Sequence, residues 1–333
     1  MHVVHVNDIA FVATNLVAGL NAAGHDARVV DPPKPGAALR YPWKLGTIPV
    51  RLGLLAATAG AIRRDAPDIV HIHYASQSLV GPLIGRPFVV HCHGTDIRGV
   101  DPSSLWGRCL APFLASAAAV LYSTVDLADD TRGFRPDAEF LPNPIDTDHF
   151  APGPPANRDV LVAMRLDSTK GAIAVMQALD LVLARRPETT ATVIAFGAEA
   201  ERLTSDLGPR VLVVPRVGHD AMPRLMQDHR VAIGQLSTGA VDVTELETMA
   251  CGVPVVAHFR YDPRCYPEPP PVLQAADPGA VADRLISLLD HEESRREAAV
   301  EGRLWALAQH SLPVVTRRLI AIYERILSRG KTK

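Results

Sequence analysis

Cysteine is scarce: there are four in 333 residues, and Cys92, Cys109, Cys251 and Cys265 show no C-x-x-C spacing. A disulfide scaffold and a cysteine-ligated metal are therefore not indicated, and the four are read as free thiols of a cytosolic protein. No run of 18 apolar residues occurs, and the nearest stretch, LVGPLIGRPFVVH, is broken by two prolines and an arginine. The opening residues, MHVVHVNDIA, lack a basic segment followed by an apolar one, so no secretory leader is expected. These absences predict a cytoplasmic chain, soluble or at most peripheral at a membrane.

Several catalytic motifs are missing as well. No G-x-G-x-x-G follows the first apolar run, which argues against a dinucleotide oxidoreductase, and no G-x-x-x-x-G-K-[ST] marks a P-loop. The segment GQLSTG puts Ser237 one residue out of the G-x-S-x-G hydrolase spacing. His71/His73 and His91/His93 alternate as on strands, so each pair shares a face. No cysteine pair or H-E-x-x-H supports them as metal ligands, and no metal is expected. His71 and His91 read as core-edge residues. His93 differs because Gly94 follows it at a strand's C-terminal end, where open α/β sheets bind ligands.

What is present fits two domains of about 150 residues each. Apolar residues make up 47% of the chain and charged ones 21%, enough to bury a large interior. The net charge of −2 excludes a nucleic-acid binder by bulk electrostatics. The charge is unevenly placed: Arg28 to Arg64 holds seven Lys/Arg against one acid, and Val314 to Lys333 six against one. These segments suit an anionic acceptor or a membrane surface; equally, they are solvated surface with cations at helix C-termini.

Apolar runs alternate with helical periodicity. HVVHV, ARVV, DIVHIHY, FVVHCH and AVLYST read as buried parallel strands, with a helix after the first, N-capped by Thr14 and ended by Gly24. The Pro/Gly-rich stretch 150–158 reads as a linker between residues 1–150 and a second series, 151–312. That series runs DVLVAM, a helix over 171–184, ATVIAF, RVLVV, RVAIG and VPVVAH. The alternation predicts two doubly wound parallel sheets. A last helix over 313–330 carries Val315, Leu319, Ile322 and Ile326 on one stripe and is expected to pack back onto the first domain.

The stretch STGAVDVTELETMACGVPVVAH, 237–258, sets a small-residue loop before a helix from about Val243. Amides at that N-terminus suit a phosphate. Glu245 and Glu247 lie about 200° apart at 100° per residue, so they are not an acid/base dyad. One is expected to face a cleft and the other solvent.

ELETMACGVPVVAH resembles the signature of family-4 retaining glycosyltransferases of the GT-B fold. NAAGHDARVV, PDIVHIHY, VVHCHGTD, LPNPIDTDHF and VAMRLDSTKG resemble further stations of that family, in its order, over about residues 15–258. The resemblance implies two Rossmann-like domains facing a central cleft, the first for acceptor and the second for donor. It implies Glu247 on the ribose hydroxyls and Arg165 and Lys170 on the diphosphate. The backbone of Gly239, Ala240, Val241, Asp242 and Val243 would cradle the diphosphate and sugar, with Val217 at the nucleobase. His93 would point at the sugar, and Asp96 would orient it or touch the sugar. Read without the resemblance, Arg165 is equally a surface strand-end residue, Lys170 a helix-start lysine, and Glu247 a residue favoured by the helix N-terminus.

The implied reaction moves a sugar from a nucleoside-diphosphate sugar to an acceptor hydroxyl, with retention, front-face displacement, no metal and no cofactor. The acceptor is unassigned, with an anionic or lipid-linked molecule suggested by the basic segments. Nucleic acid is not an expected partner, whereas a weak membrane contact is. The chain departs from the family where a donor-contacting glutamate usually stands: Gly239 is there, and Asp242 replaces a glycine. Asp242 is expected to be an N-cap or a substitute sugar ligand. The loop NDIAFVAT carries Phe11 where the family often has a double glycine. A nucleotide-sugar epimerase of the same fold and a non-catalytic nucleotide-sugar binder remain as alternatives. A phosphorylase would need a pyridoxal-phosphate lysine motif, which is not evident.

Overall fold

The computed structural model describes residues 1–33, 35 and 46–330, and divides into two compact units. The first joins Met1–Pro144 to Leu312–Lys333, and the second is Ile145–Ser311. The stretch 150–158 thus lies inside the second unit. There the Ala151 carbonyl accepts from Gln227 Nε2 (2.6 Å), and Asn157 donates to Asp228 (2.7 Å). The chain enters and leaves this unit at neighbouring points, where the Ile145 N–H bonds the His310 carbonyl at 2.7 Å.

In the first unit the elements are β1 (His2–Val6), α1 (Val12–Ala22), β2 (Asp26–Val30), α2 (Ile48–Asp65), β3 (Ile69–His73), α3 (Gly81–Ile84), β4 (Phe88–Cys92), α4 (Leu105–Ser116), β5 (Ala119–Tyr122), α5 (Ala128–Phe134) and β6 (Glu139–Phe140). The second unit carries β7 (Arg158–Val162), α6 (Ala172–Arg185), β8 (Ala191–Ala195), α7 (Ala200–Thr204), β9 (Val211–Pro215), α8 (Met222–Gln227), β10 (His229–Ile233), α9 (Val243–Ala250), β11 (Val255–Ala257), β12 (Leu273–Gln274), α10 (Pro278–Asp290) and α11 (Glu292–His310); α12 (Leu312–Gly330) returns to the first unit.

Both sheets are parallel, in the orders β2-β1-β3-β4-β5-β6 and β12-β11-β10-β7-β8-β9. Strand order reverses between β1 and β3 in one and between β7 and β10 in the other. Diverging crossovers leave a crevice at the C-terminal strand ends there, the usual ligand position in such sheets. Strands β3 and β4 are buried throughout, their histidines included.

One expected feature is corrected. Thr14 lies inside α1 and does not cap it. The N-cap residue is Phe11, in left-handed backbone (φ 61°), preceded by Ala10 at φ 49°. This wraps the loop so that Asp8 takes over: its carboxylate accepts from the Ala13 N–H (2.9 Å) and the Thr14 hydroxyl (2.6 Å). The backbone excursion is made by two non-glycine residues, one of them aromatic, an unfavourable choice that concentrates strain at the β1/β3 switch point.

Helix α12 buries Val315, Leu319, Ile322, Tyr323 and Ile326 in one cluster with Leu16 and Leu20 of α1 and with Val3, Ile69 and Val89 of the sheet. The helices approach closely at Gly19, where an added Cβ would lie 2.1 Å from Thr316 Oγ1. Helix propensity alone favours Gly19→Ala by about 1 kcal/mol. Overpacking costs about 1–3 kcal/mol, so the clash wins. Gly19→Ala is expected to lower stability in urea unfolding; an unchanged or raised midpoint would show that α12 is not docked there.

Candidate active site

In the second unit, site residues gather at the β7/β10 switch point. Arg165 leaves β7 exposed and pairs with Asp167. Lys170 ends a short turn whose backbone is tied to the segment after β10: the Lys170 carbonyl accepts from the Leu236 N–H (3.1 Å), and the Thr169 carbonyl from the Ser237 hydroxyl (2.9 Å). The Lys170 ammonium lies 2.5 Å from Asp242 Oδ2.

Gln235, which no local motif marks, shapes the next loop. Its Oε1 accepts from the Ser237 and Thr238 N–H groups (2.9 and 2.6 Å), and its Nε2 donates to the Ala240 and His258 carbonyls (2.7 and 2.9 Å). Gly239 sits at φ 72° with the Arg260 side chain against it. A glutamate there would have to hold a left-handed backbone, so the departure from the family pattern follows from the path of this loop. Ala240 and Val241 are buried, and the Ala240 carbonyl is held by Gln235 Nε2.

Asp242 is the N-cap residue of α9, with Glu245 at N3 accepting back from the Asp242 N–H at 2.8 Å. The other Glu245 oxygen accepts from the Gln235 N–H at 2.5 Å. Glu245 is therefore a buried strut, not the solvent-facing partner expected from helical spacing. Both glutamates are buried, because helix periodicity separates their directions without saying that either points outward. Burial, and then the neighbouring Asp242 charge, push the Glu245 carboxyl up to about 8 against the pull of the two amides.

Glu247 points elsewhere, to His219 Nε2 at 2.8 Å. Burial raises its carboxyl, while the bond to Glu247 raises the His219 imidazole. His219 lies two residues beyond Val217, so this contact brings the half-buried Val217 loop to the Glu247 carboxylate. It spans 28 residues of sequence, and no local signal announces it.

In the first unit, His93 and Asp96 follow β4. The Asp96 carboxylate accepts from the N–H groups of Ala75 (2.7 Å), Gly94 (2.8 Å) and His93 (3.1 Å). Both its oxygens are engaged with backbone, which suits the orienting role. His93 is half-buried and meets His73 Nδ1 through Nε2 at 2.9 Å. His71 and His91, read as core-edge, are fully buried. His71 stacks with His5 and His73, and His91 meets His71 and His73 tilted, across three adjacent strands. Burial depresses all five imidazoles, His5 and His91 to about 3.

Two parallel-sheet α/β units, each with one reversal of strand order, define the GT-B architecture. Residues 9–149 match the model of Glycosyltransferase Family 4, and residues 157–291 that of Glycosyl transferases group 1. The chain belongs to this glycosyltransferase family. It is 33% identical over 282 residues to a GDP-mannose-dependent alpha-(1-6)-phosphatidylinositol monomannoside mannosyltransferase of Mycolicibacterium smegmatis, covering 70% of each protein. A GDP-mannose-dependent monoacylated alpha-(1-6)-phosphatidylinositol monomannoside mannosyltransferase of Corynebacterium glutamicum is 24% identical over 218 residues, 58% of this chain and 57% of that protein. Among solved structures, sucrose-phosphate synthase of Thermosynechococcus elongatus has TM-score 0.75 at 15% identity, over 99% of this chain and 100% of the other. HepE of Anabaena in complex with UDP-glucose has TM-score 0.71 at 16% identity over the whole of both chains.

The two glutamates should separate in experiment. Glu245→Ala leaves two buried N–H groups unsatisfied, at about 1–3 kcal/mol each, and should sharply lower the urea midpoint. The folded carboxyl titrates near 8 against an ordinary 4.5. The folded state therefore keeps a proton that the unfolded chain releases, and stability falls as pH rises across that window. The wild type should lose stability relative to Glu245→Gln as pH climbs; a flat difference would place the carboxyl outside the low-polarity interior.

Proposed function

We propose that the chain transfers a hexosyl group, with retention, from a nucleoside-diphosphate sugar to an acceptor hydroxyl. The observation that carries this reading is the grouping of Arg165, Lys170, the N-terminus of α9 and Glu247 around one strand-order reversal. A departing nucleoside diphosphate gains negative charge as the glycosidic bond breaks. Two cations and helix amides stabilise that charge without a metal ion at the diphosphate. The Glu247 carboxylate accepts two vicinal hydroxyls of a ribose. In front-face displacement the leaving phosphate oxygen takes the acceptor proton, so no carboxylate nucleophile is required. His93 contacts the sugar, and Asp96 fixes the turn that presents it.

Because Lys170 and Arg165 are paired with Asp242 and Asp167, diphosphate binding exchanges a carboxylate for a phosphate on each cation. Asp242→Asn keeps a good N-cap residue and removes the competing charge. It should leave the melting temperature nearly unchanged and tighten nucleoside-diphosphate binding several-fold. Weaker binding would instead make Asp242 a sugar ligand.

GDP-mannose is the donor we propose, following the two mannosyltransferase relatives. Calorimetry with GDP, UDP, ADP and dTDP tests it: GDP should bind tightest, and Lys170→Ala and Glu247→Ala should each weaken it about 10–100-fold. Equal affinity for all four, or no loss in either variant, would remove the reading. His93→Ala should abolish turnover with binding intact, which excludes a mere binder. Incubation with donor alone should give no epimer.

The acceptor proposed is a lipid-linked glycoside. The start of α2 exposes Ile48, Val50 and Leu52 beside Arg51, and α4 exposes Leu105 (83%) and Trp106. Lys34, Arg40 and Lys44 of the same basic segment lie outside the described residues. No described helix is long and apolar enough to cross a membrane. Binding to anionic vesicles should fall as salt rises; salt-independent or absent binding would reject the membrane contact.

A further inference from the structure

The histidines of the first sheet are more than a packed layer. Parallel register sets His5 beside His71 and His73 beside His91. One nitrogen from each of His73, His91 and His93 lies within 4.8 Å of the other two. His91 Nε2 faces the Leu141 carbonyl at 3.3 Å. A carbonyl only accepts, so this nitrogen carries the proton and Nδ1 holds a bare lone pair. That Nδ1 is buried and has no hydrogen-bond partner among the described residues. A buried imidazole nitrogen without a partner is costly unless something occupies it.

The remaining bonds fix the other tautomers. Tyr323 lies 2.6 Å from His71 Nδ1, a length that suits its hydroxyl as donor, and 3.3 Å from His5 Nε2, from which it then accepts. His5 Nδ1 in turn accepts from His73 Nε2 at 2.9 Å. This leaves a lone pair on His73 Nδ1, facing His93 Nε2 at 2.9 Å. Two of the three rings thus have their far nitrogen donating to an acceptor, His91 to a carbonyl and His73 to His5. That is how metal-ligating histidines are held in place.

We infer that His73 Nδ1, His91 Nδ1 and His93 Nε2 form a binding site for one divalent transition-metal ion of the zinc class. Three neutral imidazoles favour Zn2+, Co2+, Ni2+ or Cu2+ over Mg2+ or Ca2+, which take oxygen ligands. They leave a fourth tetrahedral position open, as three-histidine zinc sites do. With metal–nitrogen bonds of about 2.0–2.1 Å, ligand nitrogens stand ~3.3 Å apart, so the His73–His93 separation opens by a few tenths of an ångström. Coordination replaces the proton between these rings. The His93 proton moves to its Nδ1, the rings stay neutral, and no net proton is released. His93 can then still donate through Nδ1, so the site stands independently of the sugar-transfer reading and does not oppose it.

The test uses the full chain, stripped with a chelator and titrated with Zn2+ against a chromophoric competitor, and separately with Co2+. The expected result is one equivalent bound, with the visible absorption of four-coordinate Co2+. His93 is the least buried of the three ligands, so His93→Ala should fold, as a circular-dichroism melt will check, and lose affinity about 100-fold or more. His93→Gln serves if it does not. His219→Ala, which removes the separate His149/His219/Asp220 group, should bind as wild type. No binding by the wild type overturns the site. So does binding that survives substitution of His93 or disappears with His219→Ala.

Discussion

The geometry of the second unit hangs on one buried carboxyl group. Glu245 receives the N–H of Gln235 at the end of β10 and the N–H of Asp242 at the start of α9. These bonds close the loop between strand and helix. With Gln235 fixed, its amide positions the Ser237–Ala240 backbone. With Asp242 fixed, Lys170 is drawn to the mouth of α9. A phosphate-sized anion at a helix N-terminus needs donors that do not reorganise when charge arrives. A strut with two short bonds and no access to solvent supplies that rigidity.

The first unit solves the same problem with Asp96. Its carboxylate gathers amides from the turns after β3 and β4 and so holds His93 at the sheet's C-terminal edge. In both units one acid is bonded to the backbone, while a neighbour is the group proposed to meet the ligand: Glu247 beside Glu245, His93 beside Asp96. The division has a physical cause. A carboxylate that accepts several amides is too well satisfied to trade them for a substrate hydroxyl, whereas Glu247, sharing one oxygen with a partly exposed His219, can exchange partners.

Much of the candidate site was legible because its elements are short and regular. Five-residue apolar runs ending in His, Gly or Ser mark strand ends, and those ends are where Arg165, Lys170, His93 and the Gly239–Val243 loop appear. The errors share an origin. Thr14 looked like a cap because it precedes a helical pattern, yet left-handed Ala10 and Phe11 start the helix earlier and hand the cap to Asp8. The expectation that one of Glu245 and Glu247 faces solvent fails because spacing gives the angle between two side chains and not where the pair points. His219, Gln235 and Tyr323 escaped notice because their partners lie 28, 10 and 252 residues away.

The sequence by itself determined the family and the two parallel sheets, and it placed Arg165, Lys170 and the start of a helix at strand ends. Each follows from local pattern: periodicity, turn residues and the order of short motifs. Tertiary structure alone decided which acid is a strut, what holds the loop before α9, and that four histidines from three strands share one buried layer with His93 at its edge. Those outcomes depend on which side chains face one another across a sheet or a turn, and such distances arise only when remote segments pack together.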